Sequence, residues 1–267
     1  MKEEALAIAS QQPDPARRLN VLREYLQACI LRSLSESEAF VSLSFVAGTA
    51  LRFLYNLPRF SEDLDFSLEN PSDYAPRKWL KKLKTELTLM GFTPALTWND
   101  RKTVHVAWVK VAELLKESGL AAVADQNLSV KIKIDTRPPA GADTQVEIIT
   151  RHFLLTVRHH DLPSLMAGKV HALWTRPYPK GRDWYDLIWY RSQRPAVAPN
   201  LVLLQHALDQ TEGDGVIDAR RWPEYALRRL DTFDASVLAK DVRPFLERPR
   251  EADAIKLNYL RSMLEKA

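Results

Sequence analysis

Asp63 and Asp65 lie two residues apart in Arg59-Phe60-Ser61-Glu62-Asp63-Leu64-Asp65-Phe66. On a strand, residues i and i+2 face the same side, so both carboxylates can reach one point. Two carboxylates at one point repel unless a proton or a cation sits between them. Mg²⁺ suits such a place, because it takes one or two carboxylates and completes its shell with substrate phosphates and water. Just upstream, Phe45-Val46-Ala47-Gly48-Thr49-Ala50-Leu51-Arg52 reads as a strand, a tight turn and a helix. Gly48 permits a sharp turn and close backbone approach. Thr49 is placed to cap the helix, whose free first-turn N–H groups can hold a phosphate. A phosphate-holding turn beside metal-holding acids is what nucleotidyl transfer needs. An Asp-x-Asp pair by itself is more often solvated surface, and it is the Gly-Thr junction that turns the reading toward chemistry.

The elements that must position these residues follow from periodicity. Helices are predicted over residues 2–11 and 14–33, the second with Leu19, Leu22, Tyr25, Leu26, Ile30 and Leu31 on its core side. Asp14 followed by Pro15 is a helix-start signal. Ser35 to Glu38 is expected to be a loop. After the Asp pair, a helix is predicted from Arg77 to Met90, closed by Gly91, with Leu80, Leu83 and Leu87 as its apolar stripe. Strands are predicted at 92–98, 103–109, 146–149 and 153–157. The clearest strand is Leu128 to Asp135, where Leu128, Val130, Ile132 and Ile134 alternate with Ser129, Lys131, Lys133 and Asp135. A helix from Leu162 to Trp174 carries Lys169 among apolar neighbours, where it either snorkels to solvent or serves a site. Gly181 opens another helix with Asp183 and Asp186 in its first turns. Those acids either complement the helix dipole or orient Lys169. Beyond Arg194-Pro195, helices are predicted at 200–210, 219–230, 234–247 and 251–266. His159 and His160 are adjacent and point to opposite faces in an extended chain, so they are not read as a metal site.

The first block, Gly48-Thr49-Ala50-Leu51-Arg52 with Arg59-x-Ser61-x-Asp63-x-Asp65-Phe66, resembles the AbiEii/AbiGii toxin family, nucleotidyltransferase-like proteins of the DNA polymerase β superfamily. Lys169, in Ser164-Leu165-Met166-Ala167-Gly168-Lys169, and the block Lys180-Gly181-Arg182-Asp183-Trp184-Tyr185-Asp186-Leu187 resemble the family's later motifs. The family often has Gly-Gly or Gly-Ser where this chain has Ala47-Gly48-Thr49. The resemblance implies an α+β fold, a polymerase-β-like nucleotidyltransferase mixed sheet flanked by helices, with a helical C-terminal lobe. It places the nucleotidyltransferase domain at residues 1–158 and the lobe at 159–267. It implies that Asp63 and Asp65 bind Mg²⁺ or Mn²⁺, and that Gly48, Thr49, Arg59, Ser61, Lys180, Arg182 and Asp183 handle the nucleotide. Lys169 then steadies a transferring phosphate, with Asp186 beside it. Asp135 is the candidate third acid, its alternative being a turn-forming Asp at a strand end. The implied activity is that of a toxin in a toxin–antitoxin or phage-defence pair, transferring NMP from an NTP to an acceptor, with a tRNA 3′ end foremost. A cognate antitoxin would be encoded separately. Transfer to a protein or small-molecule hydroxyl, and a catalytically silent NTP- or RNA-binding module, are the competing readings.

Composition sets outer bounds. The 267 residues carry a net charge of +4. The excess is local: Arg77 to Arg137 holds 12 Lys/Arg against 6 Asp/Glu, whereas the part from Ala196 onward holds 11 against 12. A basic flank beside a triphosphate site either guides an RNA backbone or is an ordinary solvated face. The single cysteine, Cys29, excludes an intrachain disulfide and sits in an apolar helical run, where core packing is expected. No stretch reaches 18 uninterrupted apolar residues, and Met1-Lys2-Glu3-Glu4 lacks the form of a secretory leader, so a cytoplasmic protein with no membrane partner is expected.

Overall fold

The computed structural model describes residues 1–123 and 125–266. It divides into two compact units. The first comprises Met1–Asn56, Phe60–Pro138 and Gln145–His159; the second comprises Leu57–Arg59, Pro139–Thr144 and the chain from His160 onward. The second unit therefore takes up short pieces from earlier in the chain, Arg59 among them, that no composition shift in the sequence marks.

The sheet has seven strands: β1 (Leu43–Val46), β2 (Asp63–Leu68), β3 (Pro94–Asn99), β4 (Val104–Val111), β5 (Leu128–Asp135), β6 (Thr144–Ile149) and β7 (Leu155–His160). They are ordered β3-β4-β5-β2-β1-β7-β6. The β1/β2, β3/β4 and β4/β5 pairs are antiparallel, whereas β2/β5 and β1/β7 are parallel. The architecture is thus α+β with a mixed sheet.

In the first unit, α1 (Lys2–Ser10) packs on α2 (Pro15–Glu36), α2 lies against both α4 (Pro76–Leu89) and β5, and a short α5 (Leu114–Glu117) follows β4. Asp14 caps α2 by accepting from the Arg17 N–H, with Pro15 in the first turn, as the sequence signal predicts. The helix runs through the expected loop to Glu36. Ser33 and Leu34 are buried in its last turns, and Glu38 makes the exit at φ +57°. Leu22, Tyr25, Leu26, Cys29, Ile30 and Leu31 are at most 1% exposed, each large side chain contributing about 1.5–3 kcal/mol by leaving water. Burial pushes the Cys29 thiol up to about 12, as befits a packed side chain rather than a nucleophile.

The second unit is mainly helical: α6 (Leu162–Thr175), α7 (Gly181–Ser192), α8 (Leu201–Glu212), α9 (Trp222–Leu230), α10 (Ala235–Val242) and α11 (Leu257–Leu264). The predicted helix 234–247 ends early at Val242, with a 3₁₀ turn at Arg243–Phe245. Pro244 removes a backbone donor there. The segment from 251 is 3₁₀ up to Ala254, and α11 starts only at Leu257.

Gly181 shows how tightly this unit closes. A Cβ at that position would lie 1.9 Å from the Leu238 carbonyl oxygen of α10, and the Gly181 N–H donates to Asp241 Oδ2 at 2.8 Å. Gly181→Ala is therefore expected to force α7 and α10 apart at a cost of about 3 kcal/mol, read as a lowered urea midpoint. An unchanged midpoint would show that this approach is not needed for stability.

Candidate active site

The site is built from β1, α3 (Ala47–Tyr55) and β2. The antiparallel β1/β2 register sets Val46 opposite Asp65, so the chain leaves β1 into α3 at the level where the acids stand. The helix starts three residues earlier than Thr49 would allow as a cap: Val46 is the N-cap, and its side chain makes no capping bond. Ala47 adopts φ +64°, a left-handed conformation that costs a non-glycine residue about 1–2 kcal/mol. Strain of this kind concentrates where function over-determines the backbone. Thr49 is fully buried, and its hydroxyl donates to the Asp63 carbonyl oxygen. It thus ties α3 to the first residue of β2, and the hydroxyl is taken up by that bond. Asn56 ends the helix at φ +54°, with Pro58 two residues on.

Arg52, in the same motif, points the other way. It is 2% exposed, pairs with Glu24 of α2 and lies 4.3 Å over the Phe60 ring. Glu24 also accepts from Arg151 Nη1 at 3.1 Å and sits 3.1 Å from His152 Nε2. Burial works to raise the Glu24 carboxyl. The bond to His152 and the charges of Arg52 and Arg151 outweigh it and hold the group at about 2, against an ordinary 4.5. A depressed carboxyl stabilises the fold fully above its unfolded value and loses that stabilisation as pH falls through the folded one. Wild type is therefore expected to lose about 3 kcal/mol between pH 4.5 and 2 through this one group. Urea midpoints across that range should fall less steeply for Glu24→Gln than for wild type; equal slopes would remove Glu24 as the cause.

Asp63 and Asp65 are on one face of β2, with side chains 34% and 28% exposed. The parallel β2/β5 register places Lys131 opposite Asp63 and Lys133 opposite Asp65. The Lys133 ammonium contacts both acids, bonding Asp63 Oδ2 closely and Asp65 Oδ1 at 3.2 Å. Burial works against the charge on Lys133, but Asp65 and Asp63 prevail and raise its pKa above the usual 10.5. The two carboxylates thus converge on a single cation, as their spacing predicts. Lys133 itself is absent from the residues singled out by sequence. The alternation of β5 puts it on the polar face, yet only the register, invisible in sequence, sets it against the Asp pair.

Asp135 stands opposite Ser67, one side-chain step beyond Lys133. Its Oδ1 accepts the Arg137 N–H at 3.0 Å, closing a turn at the strand end. It shares the face of the Asp pair but is diagonal to Asp65, a spacing of about 7–8 Å. The Ser61 carbonyl accepts from Gln27 Nε2 at 3.1 Å, tying the approach to β2 onto α2. Among the described residues no group of three His, Cys, Asp or Glu converges on a point. A metal here would have two protein carboxylates, those that Lys133 now bridges, and phosphate oxygens and water would have to complete its shell. The all-oxygen donor set and the half-open face fit a hard divalent cation on those terms.

The second unit holds a cluster of its own. Lys169 Nζ is 2.7 Å from Asp186 Oδ2 and 3.1 Å from Asp183 Oδ1. Arg59 grips Asp186 with two parallel bonds of 2.6 Å, and Arg176 reaches Asp183 Oδ2 at 2.7 Å. Burial works to raise the Asp186 carboxyl, but Arg59 and Lys169 outweigh it and hold it below the usual range. Asp183 and Asp186 thus stand beside Lys169, three residues apart on one helical face. Arg59 has a side chain only 2% exposed, turned inward to Asp186 instead of outward to a nucleotide. Lys180 lies 5.8 Å from the Tyr178 ring and Arg182 packs 4.1 Å over the Phe245 ring.

The family model described as the nucleotidyl transferase AbiEii toxin of type IV toxin–antitoxin systems matches residues 29–259. The chain belongs to this family. It is accordingly a nucleotidyltransferase, with an NTP substrate and a separate antitoxin implied by its AbiEii kinship. No protein of curated function matches it. Solved structures resemble it, two of them as follows. One is JHP933 from Helicobacter pylori, at 19% identity and a TM-score of 0.46, covering 92% of this chain and 94% of that one. The other is an H. pylori protein provisionally described as a nucleotidyltransferase, at 20% identity and a TM-score of 0.48, covering 91% and 95%. Among the described residues no helix is long and apolar enough to cross a membrane.

Proposed function

We propose that this AbiEii-family protein is a cytoplasmic toxin that transfers NMP from an NTP to an RNA 3′ end, tRNA foremost, in a Mg²⁺-dependent reaction with release of pyrophosphate. The observation that carries the reading is the convergence of Asp63 and Asp65 on one cation at a half-exposed face. Asp63 and Asp65 would hold Mg²⁺, and Mn²⁺ in its place; the ion would neutralise phosphate charge and lower the pKa of the acceptor hydroxyl. The first-turn N–H groups of α3 at Gly48 and Thr49 are assigned to the nucleotide's phosphates. Asp135, on the same sheet face, accepts the acceptor's proton. Lys169, held by Asp183 and Asp186, supplies a point cation to a substrate phosphate. Lys180 and Arg182 are assigned to the nucleotide, and Arg59 acts through Asp186. Ser61 positions the entry to β2. The basic excess between Arg77 and Arg137 agrees with a polyanionic acceptor.

The test is incorporation of each α-labelled NTP into total RNA by the purified protein, with Mg²⁺ and with EDTA. Label at tRNA 3′ ends with Mg²⁺ and none with EDTA is the expected result. Label in protein or in a small product, with RNA unlabelled, would sink the RNA reading and leave nucleotidyl transfer standing.

A further inference from the structure

The face of the sheet that carries the Asp pair continues across two more strands. Register places Thr97 of β3 opposite Trp108 of β4, Trp108 opposite Lys131 of β5, and Lys131 opposite Asp63. Side chains at paired positions share a face, so these four form one row ending at the first catalytic acid. The reverse face is the core: Ala107, Val109, Val130 and Ile132 are at most 2% exposed, and α2 and α4 pack against β5 and β3. On the open face, Trp108 keeps 38% of its surface in solvent. The Lys131 ammonium stands 5.2 Å from the centre of its ring. Lys110, two residues along β4 and exposed, follows on the same side.

A large aromatic left open on a sheet face, with lysines beside it, serves no core. It is what single-stranded nucleic-acid readers use, the ring stacking a base of any identity and the cations following the backbone. Strands are spaced about 4.8 Å apart, so Trp108 stands about 10 Å from Asp63 along the row. That distance suits a base just inside the strand end whose terminal sugar reaches the acids. Cations on two sides of the ring suit a continuous backbone rather than a lone triphosphate. We propose that Trp108 is the stacking platform for the acceptor, a single-stranded RNA end, with Lys131 and Lys110 holding its phosphates. This rests on the RNA-acceptor reading above.

The full-length protein is titrated with a labelled single-stranded RNA of roughly 12 nucleotides, and acceptor and NTP KM values are measured for wild type, Trp108→Ala, Trp108→Leu and Trp108→Phe. Loss of one stacked base should weaken RNA binding and raise the acceptor KM on the order of 10- to 100-fold in Ala and Leu, with the NTP KM unchanged. Phe should stay within a few-fold of wild type, and Lys131→Gln should lower the salt slope of binding by about one. Because Leu keeps apolar bulk, a fold defect in Ala alone does not imitate this pattern. If wild type labels RNA and Trp108→Leu binds it equally well, the platform is wrong while the acceptor reading stands. A raised NTP KM with acceptor KM unchanged assigns the ring to the nucleotide's base and overturns the proposal. Wild type that labels no RNA overturns both.

Discussion

The double variant Asp63→Ala/Asp65→Ala is expected to lose nucleotidyl transfer by on the order of 10³-fold or more, since a metal ion's charge stabilisation is worth several kcal/mol. Its fold should survive. Both side chains are about one-third exposed and contribute little packing, and Lys133, 30% exposed, can turn to water once its partners are gone. Exposed pairs of this kind are worth about 0–1 kcal/mol, so the unfolding midpoint should hardly move. Pyrophosphate release and thermal melting, measured on the same preparations, check both halves. A variant that keeps wild-type turnover would detach the Asp pair from the chemistry. One that melts far below wild type would make the acids structural.

Asp186→Ala is expected to have the larger effect on stability. Asp186 is fully buried and receives both Arg59 and Lys169, themselves almost entirely buried. Removing the shared anion takes the bidentate carboxylate from Arg59 and leaves Lys169 with Asp183 alone, which costs about 3–5 kcal/mol. Asp183→Ala should cost less, because Asp183 shares its charge with Arg176, whose side chain is 37% exposed and can rehydrate. Urea denaturation of the two variants side by side is the measurement. Equal midpoints, or an Asp186→Ala midpoint at the wild-type value, would refute the view that Arg59 and Lys169 depend on this carboxylate.

The contrast between these two clusters explains what the sequence made legible. The Asp-x-Asp spacing on a strand dictates a common face, so the convergence of Asp63 and Asp65 follows from period two alone. Asp183 and Asp186 follow from helical spacing in the same way. The clean alternation from Leu128 to Asp135 likewise predicts which side of β5 is buried. Register is another matter. Lys133 meets the Asp pair, and Asp135 stands one step beyond, because β5 pairs in parallel with β2 in one frame. That frame depends on how the apolar faces of two strands far apart in sequence match, which neither strand shows by itself. The part of Arg59 is hidden for a similar reason: the short piece Leu57–Arg59 is flanked on both sides by residues of the first unit, while the Arg59 partner lies 127 residues away. At Thr49 the local capping preference lost to a tertiary bond, its hydroxyl being taken by the Asp63 carbonyl.

The carboxylates carried by β2 are proposed to make this chain a transferase acting on RNA ends. The most direct measurement is induced expression of wild type and of Asp63→Ala/Asp65→Ala in cells, with tRNA 3′ ends sequenced in both. Growth arrest with extended 3′ ends in wild type, and neither in the variant, is the predicted result. Arrest and extended ends that persist in the variant would contradict the claim.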